Sequence, residues 1–173
     1  HTLDYKVSVE TVASGLDLPW GIDFLDNGKA LITERGGHLR LWQNGTLDPE
    51  PVKGIPAVLA EGQGGLLDVS KGPHYAEDGW IYLSYSHAQA VDGANKPNAM
   101  TRIVRGRLEG NQWTDQEVIF EAPADRYLGT RHHYGSRIVF DRQGHVFFSI
   151  GDRGLSDQAQ DLSRPNGKIH RLN

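Results

Sequence analysis

Apolar residues in this chain alternate with polar ones in short runs and rarely recur at helical spacing. Residues 6–11 alternate and predict a strand. Residues 22–25 follow Leu18-Pro19-Trp20-Gly21 and predict another, closed by the turn Asp26-Asn27-Gly28-Lys29. Residues 30–34 and 38–42 follow, separated by Gly36-Gly37. The stretch G-L-L-D-V-S-K-G-P-H-Y-A-E-D-G-W-I-Y-L-S-Y-S repeats strand, turn and strand, with further strands predicted over residues 101–108 and 116–120. A third copy runs through Ile138–Phe140, the turn Asp141-Arg142-Gln143-Gly144, Val146–Ile150 and Lys168–Leu172. Residues 156–163 are polar and read as a loop with one turn.

The turn glycines Gly28, Gly79 and Gly144 stand 51 and 65 residues apart (79−28 and 144−79). Self-similarity near this period, with about four strands per unit, is the mark of a β-propeller blade. The expected fold is therefore all-β, with blades over residues 1–60, 61–125 and 126–173, the last incomplete. A β-sandwich with similar turn spacing is the alternative, and the repeated strand order argues against it. Propellers close with four to eight blades, and three would leave long unpaired edges. The chain is expected to form part of a larger propeller.

Composition narrows the function classes. The chain has 173 residues, enough for one sizeable core, with 21 Gly that suit many turns. Net charge is −4 with scattered basic residues, which argues against nucleic-acid binding. No apolar run approaches the 18 residues of a membrane span. The absence of cysteine excludes disulfides and thiolate chemistry. The start at His1 suggests a processed or trimmed N-terminus. Asn44-Gly45-Thr46 matches a glycosylation sequon, but Asn-Gly is better read as a hairpin turn.

No metalloprotease helix, nucleophile elbow, P-loop or dinucleotide fingerprint occurs. Gly62-Gln63-Gly64-Gly65 leads into a strand, so it is no phosphate cradle. His133 is the sharpest candidate, because an imidazole at a strand entrance can take a proton near neutral pH. A satisfied structural histidine is its plain alternative. His132 would point the opposite way in an extended segment, which argues against a shared zinc. Gln63 could offer an amide to a polar ligand or merely stabilise its loop. Asp152 and Arg153 read as a tight turn with an exposed ion pair. Asp157, Gln158, Gln160 and Asp161 could line a sugar site or carry calcium oxygens, but lack the EF-hand pattern. Trp20, Trp42 and Trp80 read as blade packing.

The pieces L-D-L-P-W-G-I-D-F-L, L-I-T-E-R-G-G-H-L-R-L, G-Q-G-G-L-L-D-V, W-I-Y-L-S-Y-S, H-Y-G-S-R-I-V-F-D, I-G-D-R-G, A-Q-D-L and G-K-I-H-R-L together resemble the soluble aldose sugar dehydrogenases that use pyrroloquinoline quinone (PQQ), the wider family of soluble glucose dehydrogenase. They cover nearly the whole chain in family order. The resemblance implies a six-bladed propeller with PQQ and Ca²⁺ at its axial mouth, an aldose substrate, a separate electron acceptor and a periplasmic or secreted bacterial location. It implies that His133 takes the anomeric hydroxyl proton while hydride moves from sugar C1 to the quinone, leaving the lactone. Gln63 would lie at cofactor and substrate. His132 replaces an aspartate of the glucose dehydrogenase branch, and Asp157 falls at a substrate-facing position. Most calcium ligands and the groups holding the PQQ carboxylates would lie beyond Asn173, with the C-terminal half conceivable as a separate chain. The 173 residues alone are then expected neither to bind PQQ tightly nor to turn over sugar. A non-catalytic propeller binding module is the alternative function. A calcium-dependent propeller hydrolase such as a lactonase would want a cluster of acidic ligands, which the sequence lacks.

Overall fold

The computed structural model describes residues 4–26 and 28–173. Three antiparallel sheets stand side by side. The first contains β1 (Pro19–Phe24), β2 (Lys29–Glu34), β3 (His38–Gln43) and β4 (Thr46–Leu47) in that order. The second contains β5 (Leu66–Lys71), β6 (Ile81–Gln89), β7 (Asn98–Glu109) and β8 (Gln112–Phe120), with the helical turn α1 (Tyr75–Asp78) between its first two strands. The third contains β9 (Ile138–Phe140), β10 (Val146–Ile150) and β11 (Lys168–Leu172). Each sheet is a meander, and the first strands pack in sequence, β1 on β5 and β5 on β9. That is the arrangement of consecutive propeller blades, as the repeat predicts.

Two cores fill the seams. Leu31, Leu39 and Leu41 of the first sheet meet Leu66, Val69, Ile81, Leu83 and Val104 of the second. Tyr82 and Ile103 of the second meet Ile138, Val146, Phe148 and Ile150 of the third, with Tyr82 edge-on to Phe140 at 4.8 Å. Each such side chain gains about 2 kcal/mol on leaving water. The alternation seen in the sequence is thus a contact rule: one set of side chains faces the preceding sheet and the other the following one.

A polar device recurs at each seam. The register pairs Ile22 with Ile32, Val69 with Leu83 and Ile138 with Phe148. The residue after the second partner is Thr33, Ser84 or Ser149. Thr33 Oγ1 accepts the Gly21 N–H at 2.8 Å and donates to the Leu67 carbonyl of the next sheet at 2.5 Å. Ser84 Oγ accepts the Asp68 N–H and donates to the Ser136 carbonyl in the loop that enters the third sheet, both at 2.9 Å. Ser149 Oγ accepts from Arg137 N–H at 3.4 Å. In Thr33 and Ser84 the hydroxyl is both acceptor and donor, so one atom ties two sheets. Ser84→Ala leaves a buried N–H and a buried carbonyl unpaired and is expected to cost about 1–3 kcal/mol in denaturant unfolding. A loss under about 0.5 kcal/mol would show the bridge to be dispensable.

Three local expectations meet the structure differently. The Asn44-Gly45 turn is a two-residue hairpin loop between β3 and β4, with φ of 52° and 78°, the left-handed geometry that Asn-Gly suits. Residues 6–11 form no strand, although their alternation predicts one. A strand needs a hydrogen-bonded neighbour, and none of the three sheets pairs with this segment. The predicted loop at residues 156–163 contains the 3₁₀ segment Ser156–Gln160.

Candidate active site

His133 stands in the loop that enters β9, at one end of the seam between the second and third sheets. Its backbone is left-handed, with φ of 54°, an uncommon state for a residue bearing Cβ. Two contacts hold it. Its N–H donates to Gln63 Oε1 at 2.8 Å, and its ring Nδ1 lies 2.6 Å from Asp152 Oδ1. A carboxylate at Nδ1 places the ring proton there, which leaves Nε2 with its lone pair. The side chain is half exposed, so solvent and ligand can reach it.

Asp152 is held below the ordinary carboxylate range, first by the Gly154 N–H at 2.9 Å and then by the His133 ring. A lowered acid stabilises the fold above its unfolded value, about 3.9 for Asp, and loses that contribution as pH falls through its folded value. The His133–Asp152 contact should therefore survive acidification past the usual Asp midpoint. A ¹³C carboxyl titration of Asp152 by NMR checks this, and a midpoint at or above the unfolded value would contradict it.

The glycines around Gln63 exist for steric reasons. The loop runs between Arg35, in the turn after β2, and Arg131 of the loop before β9. Gln63 N–H donates to the Arg131 carbonyl at 2.8 Å, and a Cβ on Gly62 would strike that carbonyl. A Cβ on Gly64 would lie 2.8 Å from the Leu59 carbonyl, and one on Gly65 would strike the Arg35 carbonyl. Arg131 also reaches Glu61 Oε2 at 2.9 Å. The backbone is pressed into place from both sides, and only the Gln63 side chain projects.

Trp20, Arg35, Gln63, Leu67, His133, Tyr134 and Gly135 line a cleft of about 300 Å³. Its floor is apolar, because Tyr134 and Leu67 are buried. Its polar groups are the amide of Gln63, the ring of His133 and the guanidinium of Arg35, which donates to the Gly62 carbonyl.

The structure brings His133 and Gln63 together at one cleft. It does not bring His132 or Asp157 to the cleft wall. His132 is exposed, with its ring edge-on to His133 at 4.8 Å. Asp157 is exposed on the 3₁₀ segment. The exposed ion pair expected of Asp152 and Arg153 does not form. Asp152 serves His133, and Arg153 is fully buried. The local reading failed because the partners lie upstream, His133 for Asp152 and His132, Thr130 and Ala99 for Arg153, from nineteen to 54 residues away. Trp20, read as packing, also lines the cleft. The sequence signal for Asp152 was its place in Gly-Asp-Arg-Gly at the end of β10, where a side chain faces the loop entering β9.

The glucose/sorbosone dehydrogenase family model matches residues 16–173. The chain belongs to this family. It is 42% identical over 169 residues to aldose sugar dehydrogenase YliI of Escherichia coli (strain K12), a match covering 96% of this chain and 44% of that protein. A solved structure titled as a glucose dehydrogenase superposes with a TM-score of 0.86 at 37% identity, over 96% of this chain and 47% of that one. The PQQ-bound form of an aldose sugar dehydrogenase from Streptomyces coelicolor superposes with a TM-score of 0.77 at 26% identity, over 95% and 47%. The chain thus spans less than half the length of these glucose/sorbosone dehydrogenase relatives, and its fold is part of the propeller that they share.

Proposed function

We propose that this chain carries the proton-accepting half of a PQQ-dependent aldose sugar dehydrogenase, with His133 as the base. The observation that carries the reading is the His133 ring, aimed by Asp152 and seated by Gln63 at the mouth of the cleft. Family membership and the quinone-bound relative support it. The residues present fit a flat, anionic quinone in part: Trp20 offers an aromatic face, Arg35 a cation and Gln63 an amide donor. When bound, the quinone supplies the two-electron acceptor for the hydride leaving sugar C1. The calcium ion fits these residues less well. It takes six to eight oxygen ligands, and this cleft wall holds one amide and no carboxylate, so no step is assigned to it.

His133 Nε2 takes the proton of the C1 hydroxyl as the C1–H bond breaks, and the aldose leaves as its lactone. Asp152, ionised at neutral pH, stabilises the imidazolium that forms. Gln63 Oε1 fixes the His133 backbone, and its amide nitrogen is available to a ligand oxygen. Leu67 and Tyr134 keep one wall dry. His132 and Asp157 are assigned at most the outer edge of a sugar site. The blades are taken to divide near residues 60 and 125, the remaining blades come from the second half of the ring, and the location is periplasmic or secreted.

Titrating the protein with PQQ and Ca²⁺ while following the quinone absorbance tests the reading. Bleaching on addition of an aldose is the expected result once the ring is complete. A complete, quinone-loaded ring that no aldose bleaches would sink it. The 173 residues alone are proposed to be inactive, and robust oxidation of glucose or arabinose by them would refute that part.

A further inference from the structure

The proposed reaction gives Arg153 no role, yet its side chain is buried and fully engaged. Its side chain is fully buried, and no carboxylate pairs with it among the described residues. The guanidinium instead donates to three carbonyl oxygens: Nε to His132 at 2.8 Å, Nη1 to Ala99 at 2.9 Å and Nη2 to Thr130 at 2.5 Å. Its Cζ lies 3.6 Å from the centre of the Tyr134 ring. A buried charge without a counter-ion is costly, so a neutral side chain would be the easier way to fill the space. What the charge secures is the chain on both sides of His133, at Thr130, His132 and Tyr134.

The neighbours of Arg153 act on the same dipeptide. Asp152 holds the His133 ring, and Gly154 N–H fixes the Asp152 carboxylate. Any Cβ on Gly151 would strike the His133 carbonyl, and any Cβ on Gly154 would strike the His132 ring. We propose that residues 151–154 act together as a clamp on His132-His133, in which Arg153 is the positioning residue that keeps His133 in its left-handed backbone state and so keeps its ring on Asp152. Arg153 grips the carbonyl of His132 and not its side chain. That one contact is therefore independent of the side chain at position 132. The purpose of the clamp rests on the reading of His133 as a base, but its geometry does not.

The test reads the ring itself. Long-range ¹H–¹⁵N NMR of the histidine rings near neutral pH reports whether His133 holds its proton on Nδ1, with the signal identified by its loss in His133→Gln. In Arg153→Met, which removes the donors, and in Arg153→Lys, which keeps the charge but loses the fork, the Nδ1–H signature of His133 should disappear into averaged tautomers. The ring of His145, 2.7 Å from Asp141 in the turn between β9 and β10, should keep its signals in both. Arg102→Lys, on the second sheet, should change neither. An unchanged His133 signature in either folded Arg153 variant overturns the proposal. So does loss of the His145 signals together with those of His133 in both variants, since Arg153 would then be a general folding residue. A protein that keeps the Arg153-dependent signature but never reduces quinone would refute the proposed function and leave the clamp standing.

Discussion

His133→Ala should lower kcat of the quinone-loaded dehydrogenase by about 10²–10⁴-fold, the range that a positioned general base contributes. The loss should fall on kcat more than on KM, because the ring acts on the proton as it leaves and the cleft keeps Trp20, Arg35 and Gln63. Exposure of the ring makes the variant a clean one, since little packing is lost with it. Asp152→Asn should cost about 10-fold to 10²-fold. The amide can turn its NH₂ toward Nδ1 and favour the tautomer with the proton on the wrong nitrogen, and it cannot offset the imidazolium charge. Steady-state kinetics of both variants beside the parent decide the matter. A His133→Ala enzyme that retains its kcat would rule out His133 as the base; a parent that binds ligand without turnover, with affinity unchanged in His133→Ala, would favour the non-catalytic alternative.

Gly65→Ala should destabilise the chain by about 3 kcal/mol or more, read as a fall in the denaturant midpoint. Two costs add. The residue has φ of 145°, a conformation that side-chain-bearing residues rarely adopt, and its Cβ would enter the Arg35 carbonyl. That carbonyl accepts the Leu66 N–H at 3.1 Å, and Gly65 N–H donates to Ser86 Oγ at 2.7 Å, so the collision falls on the seam between the first two sheets. The Gln63 loop hangs from this point, and the variant should lose ligand affinity with its stability. Gly28→Ala, where a Cβ meets open space, is the control and should cost only the strain of its own φ of 75°. Equal costs at the two glycines would show that conformation alone, and not the close approach, sets the requirement.

What the sequence disclosed and what it withheld divide by distance along the chain. Hairpins are local, so the turn glycines and the alternating runs at Ile138–Phe140 and Val146–Ile150 were legible. His133 and Gln63 were legible too, as loop residues at strand entrances and then through family resemblance. Asp152 and Arg153 were not, because a Gly-Asp-Arg-Gly turn looks self-sufficient until the loop with which it packs is known. The partners of Arg153 at Ala99, Thr130 and His132 come from two other segments. Residues 6–11 show the reverse case: their alternation is real, but no sheet in the structure pairs with them. Asp68 was passed over as one polar residue within a strand. It is buried, and burial raises its pKa, although the Ile138 N–H and the Arg137 guanidinium, each at 2.7 Å, favour its charged form. Nothing within a few residues of Asp68 foreshadows partners so far along the chain.

Thr33, Ser84 and Ser149 each stand five residues past a turn glycine, Gly28, Gly79 and Gly144. Upstream of the glycine the count is not fixed. Ile22 to Gly28 and Ile138 to Gly144 are each six residues, while Val69 to Gly79 is ten, and the extra four are the helical turn Tyr75–Asp78, none of whose residues is buried. A tag or reporter spliced at the exposed Glu77 would lengthen a spacer that already varies from sheet to sheet, whereas Tyr75 packs on the core and should be kept. One residue added between Gly79 and Ser84 would turn the hydroxyl to the opposite face and open the seam. Each hairpin thus has one arm that can be edited and one whose length is part of the joint.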